Sequence, residues 1–317
     1  MRKLIIDTDT ATDDAAALLI ACAQPDAEIL AVTTVAGNIP LEKGTRNALQ
    51  TLETAGRKIP VYPGAKQPLY RPLVCADGVH GKDGLGDRDL VHPVTKPESV
   101  HGVTKILELV RAYPGEIEII ALGPATNLAL AILQDREAMA GVKHIWSMGT
   151  GGFGPGNCTP VAEFNVYVDA EAYQILLTSG IPLTIIGFDM CLGDAALHRE
   201  DLDTLAVGNT VMRFMEKATS ALVAYNERTG HGTFADLPDA VAMGCALWPE
   251  MVRETVSVYA YCCTKEEPSY GQVIFFDRTV PMSVETHIPA DNAVVVKAID
   301  PAMFRRRFVE TLERLGR

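Results

Sequence analysis

Four aspartates, Asp7, Asp9, Asp13 and Asp14, fall within eight positions in the stretch LIIDTDTATDDAAALLI, Leu4–Ile20. Like charges that close repel one another, and a bound cation removes the repulsion. Oxygen donors without a neighbouring His or Cys suit a hard ion, Ca²⁺ or Mg²⁺, rather than zinc. Capping explains part of the cluster, because Asp13 and Asp14 open an alanine-rich helical stretch where carboxylates satisfy free N–H groups and interact well with the dipole. It does not reach Asp7 and Asp9, which cannot both serve the same helix end.

The elements that must position these acids alternate along the chain. Apolar runs predict strands at Lys3–Thr8, Glu28–Val35, Glu116–Leu122, Lys143–Met148 and Pro182–Phe188, and helix-like periodicity follows at Asp13–Gln24, Leu41–Ala55, Pro124–Leu133 and Asp169–Ser179. Such alternation implies an α/β fold, a mostly parallel Rossmann-like sheet flanked by helices. From Glu254 to Val296, short β-branched and aromatic runs between turn signals predict a small antiparallel β appendage. With no repeat, low-complexity tract or linker, residues 1–317 read as a single domain. In open parallel sheets, ligands bind just past the carboxyl ends of strands. There the sequence places the acid cluster, Ala36-Gly37-Asn38, Leu122-Gly123-Pro124 and a glycine-rich loop ending at Asn157.

Two other motifs fit poorly. A strand ending in D-x-D suggests the nucleophile loop of haloacid-dehalogenase-type phosphatases, but that loop wants Thr or Val where Ala11 stands, and no lysine or basic phosphate contact is evident nearby. Gly149-Thr150-Gly151-Gly152-Phe153-Gly154 matches G-x-G-x-x-G, yet Pro155, Gly156 and Pro160 preclude the helix that should hold a pyrophosphate.

Composition narrows the remaining classes. A net charge of −12 opposes binding to nucleic acid, and no apolar run reaches the roughly 18 residues of a membrane span. The seven cysteines include no C-x-x-C, which argues against a disulfide framework or zinc site. A cytoplasmic protein acting on a small molecule is the expectation.

Six ordered motifs give the chain a family resemblance. Asp7-Thr8-Asp9 with Asp13-Asp14 fits D-x-D-x-x-x-D-D. There follow Thr33-Thr34-Val35-Ala36-Gly37-Asn38, Val79-His80-Gly81-Lys82-Asp83-Gly84-Leu85-Gly86 and Leu122-Gly123-Pro124-Ala125-Thr126-Asn127-Leu128-Ala129. Gly156–Asn165 with Asp169, the most specific motif, precedes Pro238-Asp239-Ala240-Val241-Ala242. Together they resemble the nucleoside hydrolases, which cleave the N-glycosidic bond of ribonucleosides. The resemblance implies a bound Ca²⁺ held by Asp9, Asp14, Asp239 and the Leu122 carbonyl. It implies contacts to the ribose from Asp13, Asn38, Asn157, Glu163 and Asn165, with His80 near the base and a homodimer or homotetramer as the assembly. The cation would orient the 2′ and 3′ hydroxyls and lower the pKa of the attacking water, and Asp9 would take its proton as general base. Carboxylates around the sugar would stabilise its oxocarbenium-like transition state.

The departures concern the base. Inosine–uridine-preferring members carry His before the last metal Asp and purine-specific members carry Trp, whereas this chain has Pro238, which neither donates a proton nor stacks. His80, His231, Tyr225 and Arg228 are the candidates to assist the leaving base, the last three from a polar stretch that also reads as a solvated helix end. Thr10-Ala11 replaces a common Pro-Gly, and the Met148–Asn157 loop is one residue longer than usual. A member that binds ribosides without turnover is the alternative reading.

Overall fold

The computed structural model describes residues 1–265, 267–281 and 287–316. Its strands are β1 (Arg2–Thr8), β2 (Ala27–Thr34), β3 (Val61–Pro63), β4 (Ile117–Ala121), β5 (His144–Met148), β6 (Leu183–Ile186), β7 (Leu197–His198), β8 (Phe234–Ala235), β9 (Val252–Cys262), β10 (Val273–Phe276) and β11 (Ala293–Ile299). Nine form one sheet in the order β10-β9-β11-β6-β5-β4-β1-β2-β3, while β7 and β8 pair separately. From β3 across to β11 the strands run parallel, and β9 then pairs antiparallel with both β11 and β10. The predicted antiparallel appendage is thus an extension of the main sheet.

Strands buried on both faces must be apolar throughout, and β4, IEIIA, is buried at every position. Successive side chains enter opposite layers: Leu4 and Ile6 join one core with Ile120, and Ile5 joins the other with Ile117 and Ile119. The first layer contains two helices, Thr12–Cys22 and Pro238–Leu247, each buried at every residue and packed against the other. Alanine is the commonest residue in both, and such small side chains let helices be enclosed on all sides. The five predicted strands and four predicted helices all form, with ends shifted by one or two residues.

The chain runs from β1 outward through β2 to β3, then returns to place β4 on the other side of β1. The strand order therefore reverses between β1 and β4. Such a reversal opens a crevice at the strands' carboxyl ends.

Candidate functional site

That crevice is where the acids collect. Asp7 lies opposite Thr33 on β2 and Ala121 on β4. Its Oδ1 accepts hydrogen bonds from Thr33 Oγ1 at 2.5 Å and Asn127 Nδ2 at 2.8 Å, and Asn127 also donates to the Thr34 carbonyl. Asp7 ties three segments together beneath the site, and burial pushes its pKa up to about 7.

Asp9 occupies space left by two glycines. A β-carbon at Gly37 would sit 2.2 Å from Asp9 Oδ2, and one at Gly123 would sit 2.8 Å from Oδ1. The Asn38 N–H donates to Oδ2, while no protein partner among the described residues reaches Oδ1. Burial first, and Asp14 next, raise the Asp9 pKa well above the ordinary carboxylate value.

Asp14 does carry the capping role: its Oδ2 accepts from the Ala11 N–H at 2.9 Å and its Oδ1 from Thr8 Oγ1 at 2.5 Å. Asp13 is different, with a buried Oδ1 that has no hydrogen-bond partner among the described residues. Asp239 stands in the first turn of the Pro238–Leu247 helix, whose leading proline needs no N–H partner there. Carboxylate oxygens of Asp13, Asp14 and Asp239 all lie within 4.8 Å of one another, and all three residues are buried. Asp9 lies outside this trio but adds to the repulsion at Asp239. Burial pushes Asp13 and Asp14 each up to about 6, and burial followed by Asp13, Asp14 and Asp9 pushes Asp239 further. Concentrated, desolvated negative charge with unpaired oxygens fits a hard divalent cation.

A cavity opens above the acids, lined by Asp13, Asn38, His80, Asn157, Glu163, Asn165 and Asp239 among the expected residues. Asn165 Nδ2 donates to the Leu122 carbonyl at 2.6 Å, and its buried Oδ1 has no hydrogen-bond partner among the described residues. Glu163 caps the Phe164–Val168 helix, accepting from the Asn165 and Val166 N–H groups and from Thr150 N–H; burial brings its pKa up to about 7. Asn157 Oδ1 accepts from the Phe164 N–H at 2.9 Å. The glycine-rich loop that ends at Asn157 forms no helix, in keeping with its prolines.

His80 ends the short Asp77–His80 helix, buried, with Nδ1 3.8 Å from Asp13 Oδ1. Burial lowers its pKa against the raising influence of Asp14 and Asp236. Tyr225 lines the cavity from the Thr210–Arg228 helix, so that stretch is not merely a solvated end. Arg228 and His231 are exposed and engage the Gly78 carbonyl and Thr229 Oγ1 instead. Asp169 also belongs to the scaffold: it caps the Ala170–Leu177 helix and accepts from Thr126 Oγ1 and the Leu69 N–H. The sequence reading missed Asn226 and Asp236, which line the cavity beside Pro238. Only the nearness of Asp236 to Asp239 in the chain hinted at it.

A nine-stranded α/β sheet with a buried carboxylate cluster at its strand-order reversal defines the class. The profile described as inosine-uridine preferring nucleoside hydrolase matches residues 4–306, and the chain belongs to that family. Arabidopsis thaliana uridine nucleosidase 1 is 44% identical over 209 residues, 65% of this chain and 61% of that protein. An uncharacterised Schizosaccharomyces pombe protein is 46% identical over 190 residues, 59% of this chain and 61% of its own length. The match thus spans about three fifths of each of those two relatives. A pyrimidine-specific ribonucleoside hydrolase of Photobacterium profundum is 39% identical over 253 residues, covering 79% of this chain and 81% of that one. Among solved structures, a plant nucleoside hydrolase superposes with a TM-score of 0.90 at 30% identity, covering 99% of both chains. Among the described residues no helix is long and apolar enough to cross a membrane.

Proposed function

We propose that the chain hydrolyses the N-glycosidic bond of ribonucleosides, giving ribose and free base, with Ca²⁺ as its cation. The observation that carries this reading is the buried acid cluster beneath the cavity, with oxygens on Asp9, Asp13 and Asn165 that no described residue pairs and, among the described residues, no lysine or arginine in the lining. A phosphate site would want those cations. An oxocarbenium-like sugar wants their absence.

Asp9, Asp14, Asp239 and the Leu122 carbonyl would hold the ion, and the close approach of Asp13 to Asp14 and Asp239 adds Asp13 as a further donor. When bound, Ca²⁺ orients the ribose hydroxyls and acidifies the attacking water. Asp9 accepts the water proton at its free Oδ1, its carboxylate lying in the space that Gly37 leaves beside Oδ2 and Gly123 leaves beside Oδ1. Asp13 and Asn38 hydrogen-bond the ribose hydroxyls, and Asn157, Glu163 and Asn165 hold the rest of the sugar. His80, beside Asp13, faces the leaving base. Carboxylates fixed around the anomeric carbon favour the developing positive charge over the neutral substrate. A cytoplasmic location and a homodimer or homotetramer complete the reading, the first supported by seven free cysteines.

Reducing-sugar release from a ribonucleoside panel, with and without chelator, tests the activity. Chelator-sensitive release is expected. Binding of ribonucleosides without release would favour the alternative, a riboside-binding member, to which Pro238 gives weight because it removes the usual acid or stacking ring.

A further inference from the structure

The cavity lining also holds a polar pair, Asn226 and Asp236. Asn226, in the last turn of the Thr210–Arg228 helix, is 5% exposed, and its Nδ2 donates to the Phe234 carbonyl at 3.1 Å and to Asp236 Oδ1 at 2.9 Å. Both amide protons are therefore engaged, which fixes the amide so that Asn226 presents Oδ1 as an acceptor. Asp236 is equally constrained. It follows β8, which is paired to β7, and comes two residues before the helix led by Pro238.

Asp236 forms no ion pair with any described residue, and only one of its oxygens receives a hydrogen bond among them. No described donor reaches Asn226 Oδ1 either. Two residues with a free acceptor oxygen thus line the same cavity, as does Pro238, and among the described residues no lysine or arginine lines it. Unmatched acceptors in a confined site favour a ligand that brings N–H groups and reject one that brings carbonyl oxygen.

Resting on the nucleosidase reading, we propose that Asp236, positioned by Asn226, selects ribosides whose base carries an exocyclic amino group. An amino nitrogen offers two N–H donors, enough to meet both acceptors from one atom. Uridine instead offers one ring N–H between two carbonyls, and inosine one ring N–H beside a single carbonyl, so each brings one donor and oxygen that the acceptors repel. Cytidine is therefore preferred over uridine, and adenosine over inosine. Tyr225, which lines the same cavity, supplies a ring edge or face to the base body.

The test compares kcat/KM within these two pairs for the wild-type protein and Asp236→Asn. With Oδ1 still accepting from Asn226, the substitution turns the free oxygen into an NH₂ donor, which suits a carbonyl. The amino member is expected to lead in at least one pair by about tenfold or more, and Asp236→Asn to erase or invert that lead. A ratio is the readout, since damage to the fold or the cation site slows both members of a pair alike. Equal rates, a lead by the oxo member in both pairs, or a lead that survives Asp236→Asn would each overturn the proposal. If no riboside is cleaved, the hydrolase reading fails and ligand-induced melting shifts decide this one. Stabilisation by cytidine or adenosine beyond its oxo partner, lost in Asp236→Asn, supports it; shifts that are equal or absent refute it.

Discussion

The two ends of β1 and β4 carry buried acids with opposite fates. At the amino ends Glu118 is 4% exposed and fully partnered, by Arg2 at 2.5 Å, Lys143 at 3.1 Å and Trp146 Nε1 at 3.2 Å. Burial pushes its pKa up, yet the Arg2, Lys143 and Trp146 hydrogen bonds outweigh that and hold it at about 2. At the carboxyl ends Asp9, Asp13 and Asp239 lie at similar depth with no lysine or arginine paired to them among the described residues, and their pKa values rise. Burial is common to both ends, so burial alone marks neither a structural nor a functional acid. What separates them is whether the protein supplies the counter-charge or leaves it to a ligand.

The largest expected effect is on turnover. Asp9→Asn removes the proposed base and should reduce riboside hydrolysis by about 10² to 10⁴-fold, while the melting temperature in chelator stays level or rises because repulsion is relieved. Full activity, or collapse of the fold, would show that Asp9 belongs with Glu118 as a scaffold residue.

Next is the pH dependence of stability without metal. Asp7, Asp13, Asp14 and Glu163 have folded pKa values raised to about 6 or 7, so above the unfolded carboxylate range the folded chain holds more protons than the unfolded one. Stability in chelator should therefore fall as pH climbs from about 4 toward 7. Glu118 contributes the reverse: its share is present above the unfolded value and is lost as pH falls toward about 2. Denaturant midpoints across this range should decline toward neutrality in chelator and recover with Ca²⁺. A steady rise in chelator would remove the contrast.

Glu118→Gln should cost roughly 1 to 3 kcal/mol, because Arg2 loses its carboxylate, and should leave kcat/KM unchanged. Smallest is Lys143→Ala. Its side chain is 53% exposed, and Arg2 and Trp146 still satisfy Glu118, so a loss of about 1 kcal/mol or less is expected by chemical denaturation.

Much of this was readable in the sequence because the signals are local. Five apolar runs and their following helices carry their own periodicity, and the D-x-D stretch states its charge outright. The division of labour within the cluster was not local. Asp14 caps and Asp13 does not because of side-chain directions that spacing leaves open. Asn127 and Asp169 sit in motifs as specific as the site's own, yet brace Asp7 and a helix start. Asn226 reaches the cavity from a helix whose mixed surface reads as solvated, and Asp236 acquires its meaning only when β8 pairs with β7.

The two enclosed alanine-rich helices also make the distance between the acid groups a property of hydrocarbon far below them. Asp13 and Asp14 begin one helix and Asp239 begins the other, so their gap follows the contact between the two shafts. A methyl added at Ala17 or Ala242, each fully enclosed in the core these helices share, would overpack it and shift the helices' packing. With the proposed cation bound, ion selectivity would be tunable from the interior, size discrimination between Mg²⁺ and Ca²⁺ answering to the calibre of residues that never meet either ion.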